Sequence, residues 1–80
     1  MAQYRVLLFA GLAESCGCSE VTVELPHGGT IAALRQVAAQ ALPGLEGATY
    51  RVALNNRYVE ETDVVPRHAE LAFLPPVSGG

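Results

Sequence analysis

The sequence contains no lysine: its five cations are all arginine, at positions 5, 35, 51, 57 and 67. Without a side-chain amine, the chain cannot be joined into lysine-linked polymers. Cysteine is almost as scarce. Cys16 and Cys18 are too few for the disulfide framework of a small secreted domain, for a closed zinc site or for a four-cysteine iron–sulfur centre. A bridge across the single residue between them would be strained, and His27 and His68 lie far away in sequence, so no metal site is expected. Positive charge is also low, five cations against eight acids for a formal net charge of −3, whereas a nucleic-acid surface is usually basic. No apolar run approaches the ~18 residues of a membrane span. The stretch most like a leader, Tyr4 to Cys16, has one arginine ahead of a short apolar run, and Glu14 and Ser15 stand where small residues should precede a cleavage site. A cytoplasmic protein without nucleic-acid or membrane partners is expected. No nucleophile–base constellation is present either, since Glu60, Glu61 and Asp63 read as a solvated loop. The domain is therefore expected to have no catalytic activity alone.

What is present is apolar and periodic. Half of the 80 residues are hydrophobic, enough for one small domain near the lower size limit for a core without staples. Tyr4 to Ala10 is apolar at consecutive positions and reads as a central strand. Gly11 to Gly17 is a short connection with room for one or two helical turns. Glu20 to Leu25 alternates strictly, with Val21, Val23 and Leu25 on one side, and ends at Pro26 and a His27-Gly28-Gly29 turn. Those glycines precede a helix N-terminus that could receive an anion, although such residues more often simply make the turn. Thr30 offers an N-cap hydroxyl to a helix carrying Ile31, Leu34, Val37 or Ala38, and Ala41 or Leu42 on one face, closed by Pro43 and Gly44. Tyr50, Val52 and Leu54 form a strand that turns at Asn55-Asn56 into Tyr58 and Val59. Glu60 to His68 reads as a polar loop, and Leu71 to Leu74 as a last strand, again apolar on both faces. The pattern is α+β. Pairing the two doubly apolar strands at the sheet centre gives a β-grasp (ubiquitin-like) mixed sheet, with one principal helix packed across one face. This domain is expected over residues 1–74, followed by an extended Gly-Gly tail over 75–80.

Side-chain parity then creates a surplus. Val6 and Leu8 point one way and Leu7 and Phe9 the other, just as Leu71 and Phe73 oppose Ala72 and Leu74. A single helix covers one face only, so one apolar set stays outside. A contiguous exposed patch of this kind marks a partner site, and Leu7, Phe9 and Leu74 are the expected contacts. The tail is the second distinctive feature. Pro75 and Pro76 stop strand pairing and throw the chain outward in a stiff course. Val77 is an apolar anchor, and Ser78, Gly79 and Gly80 can enter a channel too narrow for side chains.

The segment "FLPPVSGG" resembles the C-terminal signature of the MoaD/ThiS group of β-grasp sulfur carriers, and most closely the molybdopterin synthase branch of that group. "RVLLFAGLAE", "ALNNRYV" and the length extend the resemblance over the whole chain. The resemblance implies that the carboxylate of Gly80 is adenylated by a ubiquitin-activating-type adenylyltransferase that consumes ATP, the chain itself binding no cofactor. Conversion to a thiocarboxylate follows, and the tail (Pro75, Pro76, Val77, Ser78, Gly79, Gly80) enters the large subunit of molybdopterin synthase. There sulfur passes to cyclic pyranopterin monophosphate, within a heterotetramer holding two copies of each subunit. The chain departs from the family at Ala13, where many relatives carry arginine, and at Pro66 to Glu70, where relatives often have an Asp-Gly-Asp-like turn. Two alternatives stay open. One is a carrier for thiamin or transfer-RNA thiolation, or a ubiquitin-like protein modifier; the other is a β-grasp module that only binds a partner.

Overall fold

The computed structural model describes residues 1–75. Five strands and two α-helices follow in the order β1 (Ala2–Leu8), α1 (Ala10–Cys16), β2 (Glu20–Leu25), α2 (Ile31–Ala41), β3 (Arg51–Leu54), β4 (Arg57–Tyr58) and β5 (Leu71–Leu74), with a short 3-10 turn at Pro43–Leu45 after α2. They build one mixed sheet of order β2-β1-β5-β3-β4. The first and last strands lie side by side and parallel, Val6 opposite Leu71 and Leu8 opposite Phe73; the other pairings are antiparallel. This is the β-grasp arrangement expected from the two doubly apolar strands.

Parity decides what is buried. Tyr4, Val6 and Leu8 of β1, Val23 and Leu25 of β2, Val52 and Leu54 of β3, and Leu71 and Phe73 of β5 all turn inward. Ile31, Leu34 and Ala38 of α2 meet them in one core, joined by Leu12 of α1 and Leu45 of the 3-10 turn. Phe73 is fully buried and its ring lies 4.6 Å from that of Tyr50. Thr30 caps α2 as expected, its Oγ1 accepting from the Ala33 amide at 3.3 Å. The Asn55-Asn56 turn has both φ values positive, 50° and 69°, the geometry that matches strand twist in a two-residue hairpin.

Three local expectations change. The first strand starts at Ala2 and stops at Leu8 rather than running from Tyr4 to Ala10. Phe9 is still extended, with its amide donating to the Phe73 carbonyl at 3.3 Å. Ala10 then turns into α1 with φ at +49°, a left-handed conformation that costs a side-chain-bearing residue about 1–2 kcal/mol. Second, the helical turns given room at 11–17 do form, but they begin one residue earlier, at Ala10, and end at Gly17 at φ +74°, whose amide donates to the Ala13 carbonyl at 2.9 Å. Gly44 lets the 3-10 turn press on that helix end: a Cβ there would sit 2.8 Å from the Ser15 carbonyl oxygen. Third, the polar segment 60–68 contributes to the core. Val65 is buried, its amide donates to the Gly29 carbonyl at 2.9 Å, and Val64 bridges to Thr30.

Candidate functional site

The outward face of the sheet can be assembled from the register alone. Leu7 lies beside Ala72, Ala72 beside Ala53, and Ala53 beside Tyr58, a row running from β1 to β4. One step further along the strands, Leu74 stands opposite Arg51, with Phe9 just beyond the end of β1. Leu7 and Phe9 remain 43% and 44% exposed, and Tyr58 51%; Ala53, Ala72 and Leu74 are half-buried. Leu7, Phe9, Ala53, Ala72 and Leu74 line a shallow depression of ≈ 210 Å³, edged by Asn56 and Glu70. Small-molecule pockets usually enclose roughly 300–1,000 Å³. A shallow apolar trough open along one side suits a protein surface better than a bound metabolite.

Leu7, Phe9 and Leu74, expected from the sequence to lie outside, are thus brought together on one face. Pro75 is half-buried directly after β5. Pro76, Val77, Ser78, Gly79 and Gly80 lie outside the described residues. Sequence parity had identified the apolar part of this face but not its polar margin at Arg51, Asn56 and Tyr58. The signal existed: carrying the alternation of Val52 and Leu54 back through the Asn-Asn turn places Arg51, Ala53 and Tyr58 on one side.

Among the described residues, the remaining polar groups do not form a second site. The amides that open α2 are already occupied, Ile31 donating to the Asp63 carbonyl at 2.9 Å, Ala32 to the Glu61 carbonyl at 3.0 Å and Ala33 to Thr30. The possible anion site after His27-Gly28-Gly29 is closed by the chain itself. Arg35 of α2 pairs with Glu61 and lies over the Tyr50 ring, its carbon 4.7 Å from the ring centre. That guanidinium is held above its ordinary pKa chiefly by its hydrogen bond to the Tyr50 hydroxyl. Cys16 and Cys18 are free thiols. Burial, and then the neighbouring Cys18, push the Cys16 thiol up, which disfavours the reactive thiolate. Among the described residues no three His, Cys, Asp or Glu side chains converge as metal ligands, and no helix is long and apolar enough to cross a membrane.

A protein-family model described as the ThiS family matches residues 6–80. The chain belongs to that family. The MoaD/ThiS resemblance of its tail and first strand is thereby shown. Over 98% of its length it is 35% identical to the molybdopterin synthase sulfur carrier subunit of Arabidopsis thaliana, of which it covers 83%. Its structure is similar to that of SAMP1 from Haloferax volcanii, a small archaeal modifier protein, with a TM-score of 0.88 at 28% identity, covering 99% of this chain and 100% of the other. The same fold is found in a protein–protein complex of subunits 1 and 2 of molybdopterin-converting factor from Helicobacter pylori. There the TM-score is 0.68 at 22% identity, with 98% of this chain and 99% of the matched chain covered.

Proposed function

We propose that this chain is the sulfur-carrier subunit of a cytoplasmic molybdopterin synthase. A free carboxylate is a poor acyl donor. In this reading an adenylyltransferase of the ubiquitin-activating type joins the Gly80 carboxylate to the α-phosphate of ATP, with loss of pyrophosphate. Sulfide-level sulfur from the donor attacks the carbonyl carbon of the mixed anhydride, AMP leaves, and a thiocarboxylate remains. The large synthase subunit covers the open sheet face and receives residues 75–80, and the sulfur moves to cyclic pyranopterin monophosphate. The carrier contributes reach and docking, while its partners contribute the catalytic groups.

The observation that carries this reading is the position of Leu74. The last residue of β5 lies on the open face with Leu7 and Phe9, so the segment that follows leaves the sheet next to the docking surface. One protein can therefore bind the face and accept the tail. The identity to the Arabidopsis carrier subunit supports the choice of pathway. The likeness to SAMP1 favours a second reading, in which the activated terminus is joined to a protein amine.

The test is intact and fragment mass spectrometry after incubation with the activating enzyme, ATP and a sulfur donor. Exchange of one oxygen for sulfur is expected, located by fragmentation at Gly80. Localisation is necessary because oxidation of Cys16 or Cys18 adds nearly the same mass. A shift confined to those cysteines sinks the carrier reading. Adding the large subunit and cyclic pyranopterin monophosphate then separates the pathways, since molybdopterin forms only in the first.

A further inference from the structure

Arg51 opens β3 directly across from Leu74, at the corner of the sheet where the last strand ends. It is exposed, alternating with buried Val52, so it belongs to the same face as Leu7 and Leu74. Its guanidinium carbon lies 3.8 Å from the centre of the Tyr58 ring, and Tyr58 is the cross-strand partner of Ala53. Arg5 is paired with Glu20 and Arg35 with Glu61; among the described residues Arg51 has no carboxylate partner. A guanidinium seated on an aromatic ring is pre-positioned, and its N–H fork matches a carboxylate in two parallel hydrogen bonds.

We propose that Arg51, steadied by Tyr58, is a charge-recognition residue: the large synthase subunit presents it with an Asp or Glu side chain. The inference rests on the docking reading given above. Directly opposed residues on adjacent strands lie about 5 Å apart, so a protein that covers Leu74 also covers Arg51. Covering an unpaired cation is strongly unfavourable, and a carboxylate on the incoming surface removes that cost. Away from this corner the face carries no such unpaired cation: Arg5, two residues before Leu7 on β1, is offset by Glu20. Glu70 edges the apolar depression. The face is therefore polarised between an unpaired cation, Arg51 beside Leu74, and a carboxylate at Glu70. A partner with the matching polarity docks in one orientation only, the one that brings its channel to the tail.

The experiment is a titration of the full-length protein against the large subunit encoded by the same genome, for the parent and for Arg51→Lys, Arg51→Gln and Arg51→Glu. Melting curves establish that each variant is folded. At about 0.05 M salt, Arg51→Gln is expected to weaken binding about tenfold and Arg51→Glu about a hundredfold, while Arg51→Lys, which keeps the charge but loses the fork, falls between the parent and Arg51→Gln. At about 0.5 M salt the parent should lose affinity more steeply than Arg51→Gln. A side chain that merely covers Tyr58 predicts instead that Gln and Glu are equally damaging and that salt does not separate them from the parent. That result, or parental affinity in all three variants, overturns the inference while leaving the carrier function standing. A parent that does not bind the large subunit overturns both.

Discussion

Leu7 and Leu8 are adjacent, chemically identical and on opposite faces of β1, so one substitution made twice separates folding from docking. Leu8 is 3% exposed and faces inward beside Phe73. Truncating it to alanine removes buried methyl groups and leaves a cavity, a loss of about 2–5 kcal/mol. For a domain of this size that lowers the melting midpoint by roughly 10–40 °C. Leu7 is 43% exposed. Full burial of a leucine side chain contributes about 2 kcal/mol, so its own fold realises roughly 1 kcal/mol of this and a partner can gain about 1 kcal/mol more. Leu7→Ala should therefore cost only about 1 kcal/mol of stability and weaken the large-subunit complex about fivefold. Leu8→Ala, assayed well below its midpoint, should bind nearly as the parent does. Circular-dichroism melting and calorimetric titration of both variants complete the comparison. If Leu7→Ala melts as low as Leu8→Ala, the inward and outward faces of β1 have been exchanged. Parental affinity in Leu7→Ala would mean that docking occurs elsewhere.

Phe9→Asp places a carboxylate in the apolar trough and should weaken the same complex by at least about thirtyfold, read by titration, while the far-ultraviolet spectrum stays native. Ala10→Gly relieves the positive φ at the entry to α1 and should raise stability by about 0.5–1 kcal/mol; a lower midpoint would show that the alanine methyl has packing contacts worth more than the strain. Because its pKa is raised, Cys16 carries less thiolate at a given pH than an ordinary thiol, so peptide mapping after iodoacetamide treatment near pH 8 should find it alkylated more slowly than a cysteine in a short unstructured peptide. Gly79→Val, and separately one residue added after Gly80, should block adenylation or sulfur transfer without moving the melting midpoint, because both changes lie beyond the last strand, Leu71–Leu74; normal transfer by both would remove the case for a narrow channel.

The sheet was legible in the sequence because parity is a local property. The alternation of Val21, Val23 and Leu25, and the two-sided apolarity of Leu7-Leu8 and Phe73-Leu74, needed no partner to be recognised. The helix announced itself through Thr30 and the spacing of Ile31, Leu34 and Ala38, and the hairpin through Asn55-Asn56. What escaped was decided by contacts distant in sequence. Val65 looked like part of a polar loop because its neighbours are polar, yet hydrogen bonding to Gly29 seats it in the core. The α2 N-terminus looked free for an anion, but the carbonyls that occupy it belong to Glu61 and Asp63, some 30 residues later. For the site, the apolar centre at Leu7, Phe9 and Leu74 followed from the same parity argument. The Arg51–Tyr58 stack did not, because it depends on two strands meeting across a turn.

The central place of β5 has a consequence for how the protein is made. Synthesis delivers β1 first and β5 last, yet β5 lies between β1 and β3 and holds the two halves of the sheet together. A chain interrupted before Leu71 lacks Leu71 and Phe73 from its core, and its two strand pairs have unpaired edges facing one another. Such a fragment cannot complete the fold and is open to proteolysis. Only a chain whose translation has passed Leu74 can therefore close the sheet between β1 and β3.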